Sequence, residues 1–345
     1  MIKKKRTLFV VLLVVYAILA VVATSMGAAN ITPYDVLVAI VQATPLIGKH
    51  MDINIPATHF LIIFMVRMPR IIMASLVGMG LAVVGATFQS LFKNPMADPH
   101  ILGISSGAAL GAALAMVIRL PNLVASLSAV TIFAFVGAIS TTILVYSIAQ
   151  IKGRLTTNNL LLAGSAVSFL MSALISIIMV FNQEDVNKIV FWMMGSFNAS
   201  SWKNILIVAP ITVIGTVTIY FFHRDLNLML IGEDNAKSLG VETEKLKQLI
   251  VIISSMIIAV SVSFSGIIGF VGFLVPHMVR IIFGPSNKTL IPLSALGGAI
   301  FLLLADTVAR TIVSPAELPV GAVTALIGSP YFIYLLITMK TRSGQ

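Results

Sequence analysis

VASLSAVTIFAFVGAISTTILVYSI, residues 124–148, contains no charged side chain from end to end. About 20 mostly apolar residues cross the roughly 30 Å hydrocarbon core of a bilayer as a helix. Barrel strands alternate polarity over only about ten residues, so this run is too long to be one. The bilayer core holds no water to pair with a backbone, which leaves helix as the only conformation for such a segment. The same reading recurs at 8–28, 62–88, 101–118, 159–181, 202–222, 247–265, 268–284, 291–311 and 320–339. The fold class that follows is all-α: a polytopic membrane protein with ten transmembrane helices.

Composition agrees. Hydrophobic residues make up 58 % of the 345 positions and charged residues 10 %. A water-facing surface cannot hide that much apolar area, and lipid can. The longest intervals between runs, 29–61 and 223–246, are too short to hold a core of their own, so residues 1–345 read as a single transmembrane domain. Cysteine is absent, which excludes disulfides, thiolate metal sites and cysteine nucleophiles. Five histidines (His50, His59, His100, His223, His277) show no ligand spacing, and no cofactor or metal is expected.

The net charge of +10 would raise nucleic acid as a partner in a soluble chain. Here it reads as loop charge under the positive-inside rule. Alternating the runs from the Lys3-Lys4-Lys5-Arg6 end places 15 of the 22 Lys and Arg residues on the N-terminal side of the membrane. Both termini are therefore expected to be cytoplasmic. The first apolar run exceeds the roughly 7–15 residues of a signal-peptide core, so it is expected to stay as a span.

Three features stand out within this frame. The 268–284 run carries Gly269, Gly272, Pro276, His277 and Arg280, and is expected to be buried in the bundle or broken. Small residues at Gly103, Gly107 and Gly111, and at Gly78, Gly80 and Gly85, are spaced for close helix packing. Residues 29–61 read as an external loop with a short helix, and Trp192 and Trp202 as an interfacial belt.

Two motifs are misleading. Gly103-Ile-Ser105-Ser-Gly107 matches a nucleophile elbow but opens a membrane helix, with no strand before it. Gly232-Glu-Asp-Asn-Ala-Lys237-Ser238 lacks the second glycine of a phosphate loop. Glu233 and Asp234 instead suit the start of a short helix, where the dipole favours carboxylates. Intramembrane ionisable residues are functional candidates by default. Asp306 and Arg310, four apart, suggest a local ion pair. Arg67 and Arg70 straddle Pro69 at the outer end of the second run, where they either snorkel to the headgroups or form a basic patch for an acidic partner.

Read together, these blocks resemble the iron-siderophore, haem and vitamin B12 permease family of ABC importers. The resemblance is carried by Arg67-Met-Pro-Arg70, Val77 to Gln89, Lys93-Asn-Pro-Met-Ala-Asp-Pro99, Leu102 to Ala108, Leu160 to Gly164, Phe191 to Gly195, Gly232 to Gly240, Gly269 to His277 and Ala316 to Gly321. It covers nearly the whole chain.

It implies a ten-helix permease subunit in a bacterial cytoplasmic membrane, paired with an identical or related subunit. Two separate ATPase subunits and an extracytoplasmic binding protein would complete the assembly, with no catalysis on this chain. Arg67, Arg70 and Arg310 would receive glutamates of the binding protein. Segment 232–247, with Gly232, Glu233, Ala236, Ser238, Leu239 and Gly240, would be the coupling element for the ATPase. Asn94 and Met96, and Thr157 and Asn158, would be gates, although Asn158 departs from the small hydroxyl residues usual there. The cargo would be an iron chelate, ferric siderophore before haem and cobalamin third. An ion-coupled secondary transporter is the rival reading, and it calls for titratable residues at the bilayer midplane that this chain scarcely has.

Overall fold

A backbone in hydrocarbon must pair its own amide groups, so the apolar runs close into helices. The computed structural model describes residues 2–43, 55–119, 127–151 and 154–343. In chain order the helices are α1 (Ile2–Ser25), α2 (Pro33–Gln42), α3 (Ala57–Leu61), α4 (Met68–Leu91), α5 (Ile104–Ile118), α6 (Ala129–Ala149), α7 (Thr157–Phe181), α8 (Val186–Met193), α9 (Trp202–Phe221), α10 (His223–Ile231), α11 (Glu233–Ser238), α12 (Thr243–Ser265), α13 (Val271–Phe283), α14 (Asn287–Thr311) and α15 (Val320–Ser343). A short antiparallel pair, β1 (Gln150–Ile151) with β2 (Arg154–Leu155), joins α6 to α7.

Among the described residues, six helical stretches are long and apolar enough to cross a bilayer: Ala57–Leu91, Ala129–Ala149, Asn158–Phe181, Trp202–Phe221, Thr243–Ser265 and Asn287–Thr311. The other four predicted runs fall on shorter apolar helices, Phe9–Ser25, Ile104–Ile118, Val271–Phe283 and Val320–Leu335. In the interval 29–61, α2 is the expected short helix. It starts with a capping box in which Thr32 and Asp35 satisfy each other's backbone amides; residues 44–54 lie outside the described residues.

The axis of the bundle is the continuous 35-residue helix formed by α3, a π turn at Ile62–Arg67 and α4. The π turn opens the regular ladder, and the Trp202 indole N–H donates to the Phe64 carbonyl there at 2.7 Å. Nearly every residue of α4 is buried, under α9, α12, α13 and α14. Glycine makes that enclosure possible. A Cβ on Gly78 would stand 2.2 Å from the Gly298 carbonyl of α14, and one on Gly85 would stand 1.7 Å from the Gly272 carbonyl of α13. On the other side of the bundle, Gly107 of α5 lies against Gly137 and Thr141 of α6. Packing through small residues, as read from their spacing, is what the fold uses.

The 268–284 run is both broken and buried. α12 ends at Ser265, and α13 is only 13 residues long. That is about 20 Å of helix, short of the roughly 30 Å hydrocarbon core. The link between the two ends on Phe270, which holds φ +69°. A bulky residue there costs on the order of 1–3 kcal/mol. Packing holds it in place: the ring lies flush on Gly328 of α15, where a Cβ would approach to 2.3 Å.

Candidate functional site

The functional candidates gather at the two ends of α4. At its first end three arginines converge. Arg67 donates to the carbonyls of Thr24 (2.9 Å), Ser25 (2.7 Å) and Ala29 (2.7 Å). These groups at and just beyond the C-terminus of α1 carry partial negative charge. Arg70 places Nε 3.0 Å from each Asp306 oxygen and Nη2 2.8 Å from one of them. Its Nη1 donates to Asn198 at 2.6 Å and to Glu317 at 2.9 Å. Arg310 donates to the Ala23 carbonyl. A cleft of about 260 Å³ opens among Arg67, Arg70, Arg310, Ser314, Pro315 and Glu317. Two carboxylates face three guanidinium groups, which leaves the cleft one positive charge in excess.

This geometry adds to the sequence reading in two places. Asp306 keeps the expected local ion pair with Arg310, at 3.9 Å, and also takes hydrogen bonds from Arg70 on another helix. The planar fork of Arg70 meets the carboxylate on two edges, while Arg310 turns toward α1. Secondly, Arg67 and Arg70 sit within a continuous 35-residue helix, and all three arginines are at most 7 % exposed, so they line a cleft instead of an open surface. Glu317 and Asn198 were not foreseen, because only tertiary packing brings them to Arg70.

At the far end of α4 lies the segment after α10. Gly232 turns the chain at φ +150°, α11 follows, and Gly240 turns it again at φ +89°. Ala236 is fully buried and anchors α11, while Lys237, Ser238, Leu239 and Gly240 are exposed. Leu239 presents 63 % of its surface. Glu233 clasps α11 to α12, with Lys247 Nζ at 2.7 Å and Lys237 Nζ at 3.1 Å. Burial alone would raise the Glu233 carboxyl, but its bonds to the two lysines outweigh that and hold it below its ordinary value. The result is a short helix clasped to the bundle, with an exposed apolar tip.

Between these ends, a cavity of about 350 Å³ is walled by Met96, Asp98, His100, Gly269, Phe270, Phe273 and Phe332. Asn94 shapes its edge: its side chain accepts the Met96 N–H at 2.9 Å and its carbonyl the Ala97 N–H at 3.0 Å. His100 bonds to Ser105 and, at 3.0 Å, to the Ile268 carbonyl, which pins this loop to the α12–α13 break. Of the four expected gate residues, Met96 lines the cavity and Asn94 orders the turn beneath it. Asn158 is not among the residues lining this cavity. Thr157 and Asn158 belong to the first turn of α7, capped by Thr156; Asn158 is exposed, and the Thr157 side chain lies outside the described residues.

Residues 12–338 match the FecCD transport family. The cobalamin import system permease protein BtuC of Halobacterium salinarum is 42 % identical over 293 residues, 85 % of this chain and 78 % of that protein. The hemin transport system permease protein HmuU of Yersinia pestis is 38 % identical over 283 residues, 81 % of this chain and 84 % of that one. A metal-chelate type ABC transporter solved in an inward-facing conformation superposes with a TM-score of 0.82 at 31 % identity, covering 96 % of this chain and 99 % of the other.

Proposed function

The chain belongs to the FecCD transport family, and from that premise we propose that it is the membrane subunit of an ATP-driven importer for a metal chelate, with cobalamin, haem and ferric chelates as the candidate cargoes. It acts as one transmembrane domain with ten spans and both termini in the cytoplasm. It pairs with a second permease subunit, two ATPase subunits and an extracytoplasmic binding protein. The observation that supports this reading is a pair of unlike surfaces at opposite ends of one buried axial helix. The cationic cleft of Arg67, Arg70 and Arg310 suits acidic side chains of the binding protein. The α11 segment, with its exposed Leu239, suits a groove on the ATPase.

In this mechanism ATP binding draws the ATPase pair together, and α11 carries that displacement into the bundle. The cavity beside Met96 opens to one side and then the other. Its walls are chiefly aromatic and thioether surface, so it holds cargo weakly, and release needs no strong bond to be broken. Selectivity then rests with the binding protein.

The test is uptake into proteoliposomes holding the chain and its ATPase. Binding protein loaded with cobalamin, haem or ferric siderophore is supplied outside. Uptake that requires both ATP and binding protein is the expected result; uptake driven by an ion gradient without ATP would overturn the reading. In the same assay Leu239→Glu should abolish transport and loosen ATPase co-purification, since a charge at that tip cannot enter an apolar groove. Unimpaired transport by that variant would remove α11 from the coupling role. At the other end, Glu317→Gln raises the excess charge of the cleft. It should speed binding-protein association, with an effect that fades as salt rises. Unchanged association at low salt would argue against docking at this cleft.

A further inference from the structure

A chain of side-chain hydrogen bonds runs from the base of α11 to the half-helix α13. Asn227, on α10 directly before α11, accepts the first backbone N–H of α14, that of Asn287, at 2.8 Å. The Asn287 side chain accepts from Ser90 of α4 at 2.9 Å. Next to Ser90, Gln89 donates to the Phe273 carbonyl at 3.2 Å and accepts from Arg280 at 3.3 Å, both on α13. Gln89, Ser90 and Asn287 are at most 1 % exposed. The Ser90–Asn287 and Gln89–Phe273 bonds are buried from water, and moving one helix must break a bond or carry the next helix with it.

The relay is also under-satisfied. Asn287 Nδ2, Arg280 Nε and both nitrogens of His277 are buried without a partner. Buried polar groups are normally paired, so this arrangement has unused capacity that a second arrangement can take up. Its far end is the half-helix α13. α13 is short, it is separated from α12 by a non-helical link, and that link ends on the strained Phe270, a wall of the cavity.

We propose that Asn227, Asn287, Ser90 and Gln89 form a coupling relay that converts displacement of α11 into displacement of α13, and so changes the width of the cavity between Phe270 and Phe332. The relay rests on the permease reading above. Its members are positioning residues, and none is assigned contact with cargo.

The chain has no cysteine, so labels report only where they are placed. Spin labels at Gly269→Cys and Phe332→Cys, on two walls of the cavity, measure its width in the proteoliposome complex with and without ATP and vanadate. In this labelled parent, nucleotide should shift the distance distribution. Gln89→Leu and Asn227→Leu should reduce the nucleotide-driven change in population ratio by about two- to thirtyfold, with ATP hydrolysis retained. Gln89→Glu, which keeps the bond from Arg280 but cannot donate to the Phe273 carbonyl, should recover part of it. Ser90→Ala removes one link with minimal disturbance to packing and should give a partial loss, which separates coupling from misfolding. Leucine variants that respond like the parent would overturn the relay. So would a parent complex that hydrolyses ATP with no change in distance, while leaving the permease reading intact. A chain that assembles with no ATPase at all would sink both.

Discussion

Gly85→Ala is expected to eliminate the folded protein. The new methyl carbon would stand 1.7 Å from the Gly272 carbonyl oxygen, far inside van der Waals contact. Ordinary overpacking costs about 1–3 kcal/mol because side chains shift rotamer or the backbone yields slightly. Here both partners are main chain, Gly85 on the buried axial helix and Gly272 at the start of α13. No rotamer relieves the clash, and separating the helices opens the bundle along its centre, so the cost lies above that range. The check is the yield of monodisperse protein in detergent and its melting midpoint. Gly269→Ala is the control: nothing lies within 4 Å of its Cβ position, so its effect should stay within about 0.5 kcal/mol. A Gly85→Ala protein that melts with the parent would show that the α4–α13 contact is not the close approach described.

Asp306→Ala should be the most damaging single change in the arginine cluster. The carboxylate is fully buried and receives three short contacts from Arg70, with Arg310 beside it. Its removal leaves two buried cations facing each other, with only Glu317 left near Arg70. Breaking a buried pair in this way costs about 3–5 kcal/mol. Removing both partners is a different experiment. Arg70→Met with Asp306→Leu leaves no unpaired charge of the pair, and should recover most of the lost stability, though not the docking of a binding protein. Thermal melts of the two single variants and the double variant measure the coupling. Additive losses would mean that the pair is not the unit the geometry describes.

Much of this was legible from residue order. Uncharged runs of span length dictate helices because lipid offers no other partner for the backbone. Glycine spacing announced close packing at Gly78, Gly85 and Gly107. The glycines, proline and charges of 268–284 announced a helix that breaks. Gly232, Glu233 and Asp234 marked a short polar helix, and it is there. These are local properties, decided within a few residues by hydropathy, Cβ volume and backbone preference.

What only the tertiary structure decided are the contacts between residues far apart in the chain. Asp306 lies 236 residues from Arg70, yet it takes its hydrogen bonds from that side chain, because α4 and α14 pack glycine to glycine and bring the two together. Contacts with α1 bury Arg67, and α10 against α14 puts Asn227 beside Asn287. Sequence determines which segments enter the membrane and how closely they can approach. It does not encode which approach is realised, because that depends on the summed contacts of many helices at once.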